Sequence, residues 1–138
     1  MVSHVVLMKP RPDLTATART AHVDAFERAV REISTVRDIR IGRRLAHGAG
    51  YEAVAPDTAD YLAMIDFDDL AGLQAYLQHP AHEQLGARFG ESLSAALVYD
   101  FEVGGIDRAT RWRADVGRAA FSRAPSRRAG PCRRCRAA

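Results

Sequence analysis

The sequence predicts a single α+β domain, a split β-α-β unit whose four strands form one antiparallel sheet. Three observations predict it. Four short segments are rich in apolar residues at strand spacing, and helical patterns follow the first and third of them. The chain's 138 residues, 47% of them hydrophobic, supply one proper core and are too few for two ordinary domains.

Ser3 to Lys9 is a Val- and Leu-rich run ended by Pro10 and Pro12, which suits a strand with His4, Val6 and Met8 on one face. Thr15 to Ile33 has no Gly or Pro. It places Ala18, Ala21 or His22, Ala25 or Phe26, Ala29 and Ile33 at helical spacing, so it reads as a long amphipathic helix. Val36 to Leu45 alternates as a second strand, with Gly42 a candidate bulge. The segment 47–58 carries Gly48, Gly50 and Pro56 and reads as a loop. Tyr61 to Phe67 is the third strand, with Tyr61, Ala63, Ile65 and Phe67 on one face and Leu62 and Met64 on the other. Apolar residues on both faces imply that both are covered. Asp68 or Asp69 caps a helix that runs through Gln78, a further helix covers Ala81 to about Leu93, and Ala95 to Val103 is the fourth strand. The order β-α-β-β-α-α-β is that of a ferredoxin-like fold whose second helix is interrupted at Pro80. Helices cover one face of such a sheet. A homodimer in which two sheets pack face to face into a barrel is the economical cover for the other.

Charge divides the chain at about residue 105. Residues 106–138 hold ten Arg against Asp107 and Asp115, a net +8, which leaves −5 of the total +3 for residues 1–105. An acidic body argues against a nucleic-acid groove in the domain, so nucleic acid or an anionic membrane is a partner only through the basic tail. Trp112, Val116 and Ala120 allow a short amphipathic helix there. The rest of the tail has the composition of a largely disordered segment. Cys132 and Cys135 form a single Cys-Arg-Arg-Cys pair, without the second pair a four-thiolate zinc site needs. No run approaches the roughly 20 apolar residues of a membrane span, and the N-terminus lacks a leader pattern; the expected location is the cytoplasm.

Tyr76-Leu77-Gln78-His79-Pro80-Ala81-His82 concentrates three proton carriers at the predicted helix break. Pro80 suits the first position of the new helix, which puts His79 at its N-cap and His82 in its first turn. There the exposed N–H groups and the positive end of the macrodipole disfavour an imidazolium. A neutral His82 is then a candidate general base, with the Tyr76 phenol as its partner. His79 reads as a cap and His22 as a boundary residue of the first helix; Asp66, Asp68 and Asp69 form a small acidic cluster, one alternating along a strand and one capping a helix, that a solvated turn explains. His4, His79 and His82 have no acidic or Cys ligand beside them in sequence, so no metal site is assigned.

The strand Ser3-His4-Val5-Val6-Leu7-Met8-Lys9, the strand into Phe67, the Tyr76 to His82 motif and the closing Val98-Tyr99-Asp100-Phe101 resemble the stress-responsive dimeric α/β barrel family over residues 2 to about 103. The resemblance implies a ferredoxin-like dimer. Enzymatic members include a plant polyketide cyclase that closes a ring by aldol condensation without metal or organic cofactor. Its catalytic Tyr and His match Tyr76 and His82, its first-strand His matches His4 and its last-strand Asp matches Asp100. Its pocket aromatics fall at His22, Val23 and Phe26, and Tyr61 stands where it has a third-strand His. The expected ligand-lining set is therefore Val6, Met8, His22, Phe26, Tyr61, Ala63, His79 and Leu85, and no cofactor is expected. Two functions follow: a cofactor-independent cyclase or aldol-type lyase acting on a poly-carbonyl compound, or a non-catalytic module that binds a small apolar ligand.

Overall fold

A computed structural model describes residues 1–55 and 59–106 of the chain. Strand β1 (Val2–Pro10) leads into helix α1 (Ala16–Glu32), then β2 (Asp38–Arg43), β3 (Tyr61–Phe67), helices α2 (Leu70–Leu77) and α3 (Pro80–Ser92), and β4 (Leu93–Glu102). The sheet order is β2-β3-β1-β4, and every neighbouring pair is antiparallel. It follows that β1 runs parallel to β2, and β3 to β4, each with one strand between them. Both helical connections join such parallel strands, which is the split β-α-β arrangement the sequence predicts.

Each helix starts where a side chain satisfies the first orphan N–H groups. Thr15 Oγ1 accepts from Ala18 N at 3.1 Å, and Asp69 Oδ1 from Gly72 N at 2.8 Å. Such caps contribute about 1 kcal/mol apiece. Asp69, not Asp68, is the cap of α2. At α3 the cap is His79 and Pro80 opens the helix, where its missing N–H costs nothing.

The register sorts the side chains into two faces. His4 lies opposite Ile65 on β3 and Asp100 on β4; Val6 opposite Ala63 and Val98; Met8 opposite Tyr61 and Ala96. This face lies under the helices. Ala63, Ile65 and Phe67 are at most 1% exposed there, and Ile65 and Phe67 pack with Ala29, Ile33, Leu73, Tyr76 and Leu85. On the other face, adjacent positions on three strands bring together Val5, Leu7, Leu62, Met64, Leu97, Tyr99 and Phe101. Leu97, Tyr99 and Phe101 are 37%, 51% and 52% exposed, so the second apolar face has no cover within the described chain.

Three local expectations are corrected. The second strand, Asp38–Arg43, is shorter than Val36 to Leu45; at its start Val36 N turns back to Ile33 O. Its register runs unbroken through Gly42, opposite Leu62, so there is no bulge at that glycine. The irregularity lies at the other edge, between Lys9 and Pro10, where proline has no N–H for the ladder. Ser94 is the residue left over, and its hydroxyl donates to Lys9 O at 3.2 Å. Asp66 is not part of a solvated turn: it is 2% exposed and accepts from Ser3 Oγ across the strand pair and from the Arg40 guanidinium. Strand alternation places it on the open face beside Ser3, where these two donors satisfy its carboxylate.

The loop after β2 contains a short 3-10 turn, Gly50–Ala53. Glu52 ties its entry by accepting from His47 N and Gly48 N, and Gly48 takes a φ of 84° that suits only glycine well. Trp112, Cys132, Cys135 and the rest of the Arg-rich segment lie outside the described residues.

Candidate functional site

Helix α2 ends at Leu77 because Pro80 cannot continue it, and the break turns the first turn of α3 back over the end of α2. This places His82 against Tyr76, with ring centroids 4.5 Å apart at an interplanar angle of 56°. On its other side Tyr76 meets His4, 5.8 Å between centroids, and Phe67 at 5.2 Å. His4 Nδ1 lies 2.7 Å from Asp100 Oδ1. The four residues expected to carry chemistry, His82, Tyr76, His4 and Asp100, are therefore brought together from α3, α2, β1 and β4.

The hydrogen bonds fix which nitrogen each ring presents. A backbone carbonyl only accepts, so the 3.2 Å contact of His82 Nδ1 with Leu77 O requires the proton on Nδ1. His82 then offers the lone pair of Nε2. His4 donates its Nδ1 proton to Asp100 in the same way. His79 is the reverse: its Nδ1 accepts from Ala81 N at 3.2 Å, so the cap consumes its lone pair. Burial holds His82 below the usual imidazole value of 6.5, the Leu77 carbonyl opposing and His4 adding to the shift. Burial pushes the Tyr76 phenol up to about 12, so it keeps its proton as a donor. On the β4 side of the cluster Val98 is 49% exposed and the Asp100 side chain 46%.

The ligand-lining residues expected from the sequence divide into two places. Met8, His22, Phe26 and Tyr61 line a groove of about 1160 Å³ between α1 and the β2–β3 side of the sheet. Val6 and Ala63 do not line it. They are 4% and 1% exposed and stand on their strands between Met8 and Tyr61 at the groove and His4 and Ile65 beside Tyr76. Leu85 is core at 2% exposure, and His79 is the cap. The expected lining set is therefore not gathered at one place: the buried Val6 and Ala63 stand between the residues at the groove and those beside Tyr76.

Sequence reasoning missed the basic lining of the groove: Arg11, Arg19, Arg31, Arg43 and Arg44. The available signal was that Arg11 and the Arg43-Arg44 pair each sit at the end of a strand. His22 reaches the groove wall, tilted against Phe89 at 5.5 Å, with a buried Nδ1 that has no hydrogen-bond partner. Burial, then the Arg88 charge, lowers its pKa. Among the described residues no group of three or more His, Cys, Asp or Glu is placed to hold a metal ion, and no helix is long and apolar enough to cross a membrane.

An antiparallel sheet of this order with helices on one face defines the α+β ferredoxin-like class. Within that class the chain belongs to the stress-responsive A/B barrel domain family, whose model matches residues 2–103. Among solved structures, it is similar to a protein from Arabidopsis thaliana at 18% identity and a TM-score of 0.64, covering 77% of this chain and 98% of that one. A dimeric protein of unknown function and ferredoxin-like fold from Bacteroides fragilis is similar at 25% identity and a TM-score of 0.53, covering 74% and 95%. Hydroxynitrile lyase from Passiflora edulis is similar at 13% identity and a TM-score of 0.63, covering 75% and 93%. No curated protein matches the chain in sequence.

Proposed function

We propose that the protein is a cofactor-independent cyclase or aldol-type lyase in which His82 is the base and Tyr76 the hydrogen-bond donor to the developing oxyanion. The observation that carries this reading is the convergence of the Tyr76 phenol with His82 and His4, the proton of His82 being fixed on Nδ1 by Leu77 O. A carbon between two carbonyls gives its proton to His82 Nε2. The resulting enolate carbon attacks a second carbonyl of the same molecule and forms the new C–C bond. The alkoxide so made takes the proton back from His82, which restores the base. Tyr76 stabilises the oxyanion by donating a hydrogen bond and stays protonated throughout. His4, oriented by Asp100, supports the Tyr76 ring. That one neighbour of this fold is a hydroxynitrile lyase is consistent with lyase chemistry on the scaffold.

The test is turnover of 1,3,5,7-tetracarbonyl compounds, in which the carbon between the first two carbonyls closes a six-membered ring on the fourth, by the wild-type chain and by His82→Ala. Formation of a cyclic product that His82→Ala loses supports the proposal. Equal rates for the two proteins, or no product from either, remove it.

A second reading is a binding module without turnover. It is favoured by the groove of about 1160 Å³, whose lining does not include His82 or Tyr76. It predicts affinity for an apolar ligand with no product. In either reading we propose a homodimer through the open sheet face, supported by the exposure of Leu97, Tyr99 and Phe101 and by structural neighbours described as dimeric.

A further inference from the structure

We propose that the groove between α1 and the β2–β3 side of the sheet is a binding site for an anionic amphiphile, an unbranched acyl chain that carries a carboxylate or phosphate head. The inference names the ligand class for the second reading above and stands apart from the acid/base chemistry.

The topology polarises the groove. α1 runs back against β1, and β2 runs parallel to β1, so the end of β1, the start of α1 and the end of β2 lie at one end of the domain. That end carries Arg11, Arg19, Arg43 and Arg44. Arg11 is partly engaged by Asp13 at 3.2 Å, while Arg19 and Arg43 are in no ion pair among the described residues. At the far end Arg31 is paired with Glu27 on its own helix at 3.0 Å. The start of α1 adds the positive end of its macrodipole to the side that already holds four guanidinium groups. Five arginines line the groove against two carboxylates, Glu27 and Asp60.

The body of the groove is apolar. Val23, Phe26 and Val30 follow one another along α1, facing Ile39 and Ile41 of β2. From Arg19 to Val30 the helix rises about 16 Å, room for an extended acyl chain lying along it. Val23 and Ile41 are 48% and 59% exposed, a degree of apolar exposure that a bound chain would relieve. An apolar stretch with a basic end matches a ligand with an apolar tail and an anionic head. The chain's own tail, residues 106–138, is a poor occupant: its +8 has the same sign as the basic end.

The experiment is calorimetric titration of the full chain with decanoate, decyl phosphate, decanol and decyltrimethylammonium. Decanoate or decyl phosphate should bind at least tenfold more tightly than decanol, and the cation should not bind; the stronger of the two anions identifies the head group. Arg19→Glu combined with Arg43→Glu should lower anion affinity at least tenfold with an unchanged melting temperature. Ile41→Trp, at an exposed position, should block binding by filling the groove. His82→Ala should bind as the wild type does, which separates this site from the catalytic reading. Equal binding of all four amphiphiles, no binding of any, or affinity indifferent to the two arginines would overturn the proposal. So would dimerisation through the groove that excludes the anions, shown by Ile41→Trp sedimenting as a smaller species.

Discussion

His79 and His82, three residues apart on one helix, carry their ring protons on opposite nitrogens. Nδ1 of His79 accepts from Ala81 N, whereas Nδ1 of His82 donates to Leu77 O. The two side chains therefore separate by test. His79→Asn keeps a capping acceptor and should retain both stability and activity. His79→Ala should cost about 1 kcal/mol, read from urea denaturation, with little effect on rate per folded molecule. His82→Ala should leave the fold intact and lower turnover by about 10²- to 10⁴-fold.

Tyr76 is 1% exposed and packs on Phe67, so truncating it to alanine would confound folding with chemistry. Tyr76→Phe keeps the ring and removes the hydroxyl. If the phenol steadies the oxyanion, kcat should fall by about 10²- to 10³-fold with KM little changed. Steady-state kinetics on a purified variant with the wild-type melting temperature is the check.

Activity and stability should both depend on the histidines lowered by burial, and the sign follows from which state binds more protons. His82 and His22 lie below 6.5 in the fold. As pH falls through 6.5 the unfolded chain takes up protons first, so the native state loses stability from there down through the lower folded values; above 6.5 the contribution is complete. The urea midpoint should therefore fall as pH is lowered below 6.5, and His22→Asn with His82→Asn should flatten the drop. Turnover should rise with pH through a midpoint below 6.5, with no alkaline fall near neutrality, because Tyr76 holds its proton up to about 12.

Asp66 is buried on the open face with Ser3 and the Arg40 guanidinium as its donors. Asp66→Ala removes the shared acceptor and strands Ser3, while Arg40 keeps Asp38 at 3.7 Å. The Arg40 side chain is 57% exposed and rehydrates readily, so the cost should be about 1 to 3 kcal/mol in chemical denaturation, mainly from Ser3 and the lost packing.

Phe101→Arg places a charge amid Tyr99 and Leu97 on the exposed face. A dimer that packs on this face should dissociate, and sedimentation should report half the wild-type mass. An unchanged mass would move the interface elsewhere.

Most of the fold was legible because its signals are local. Pro10 and Pro80 end elements by chemistry that needs no tertiary partner, and Asp69 and His79 cap where an acceptor precedes an apolar period. Strand alternation placed His4 and Val6 on one face without any knowledge of what covers it. What escaped was nonlocal. Asp66 resembled the other turn aspartates until its strand partners, Ser3 and Arg40, were brought beside it from 63 and 26 positions away. The acid/base cluster was legible because Tyr76 and His82 sit on either side of one helix break. The ligand residues were not, since whether Met8 and His4 share a cavity depends on how tightly Val6 and Ala63 pack between them.

The buried Val6–Ala63 pair stands on the two central strands between the residues at the groove and those around Tyr76. Side chains in that middle rung are held from both neighbours, so the groove and the Tyr76 cluster can each change its lining while the sheet register that carries both stays as it is.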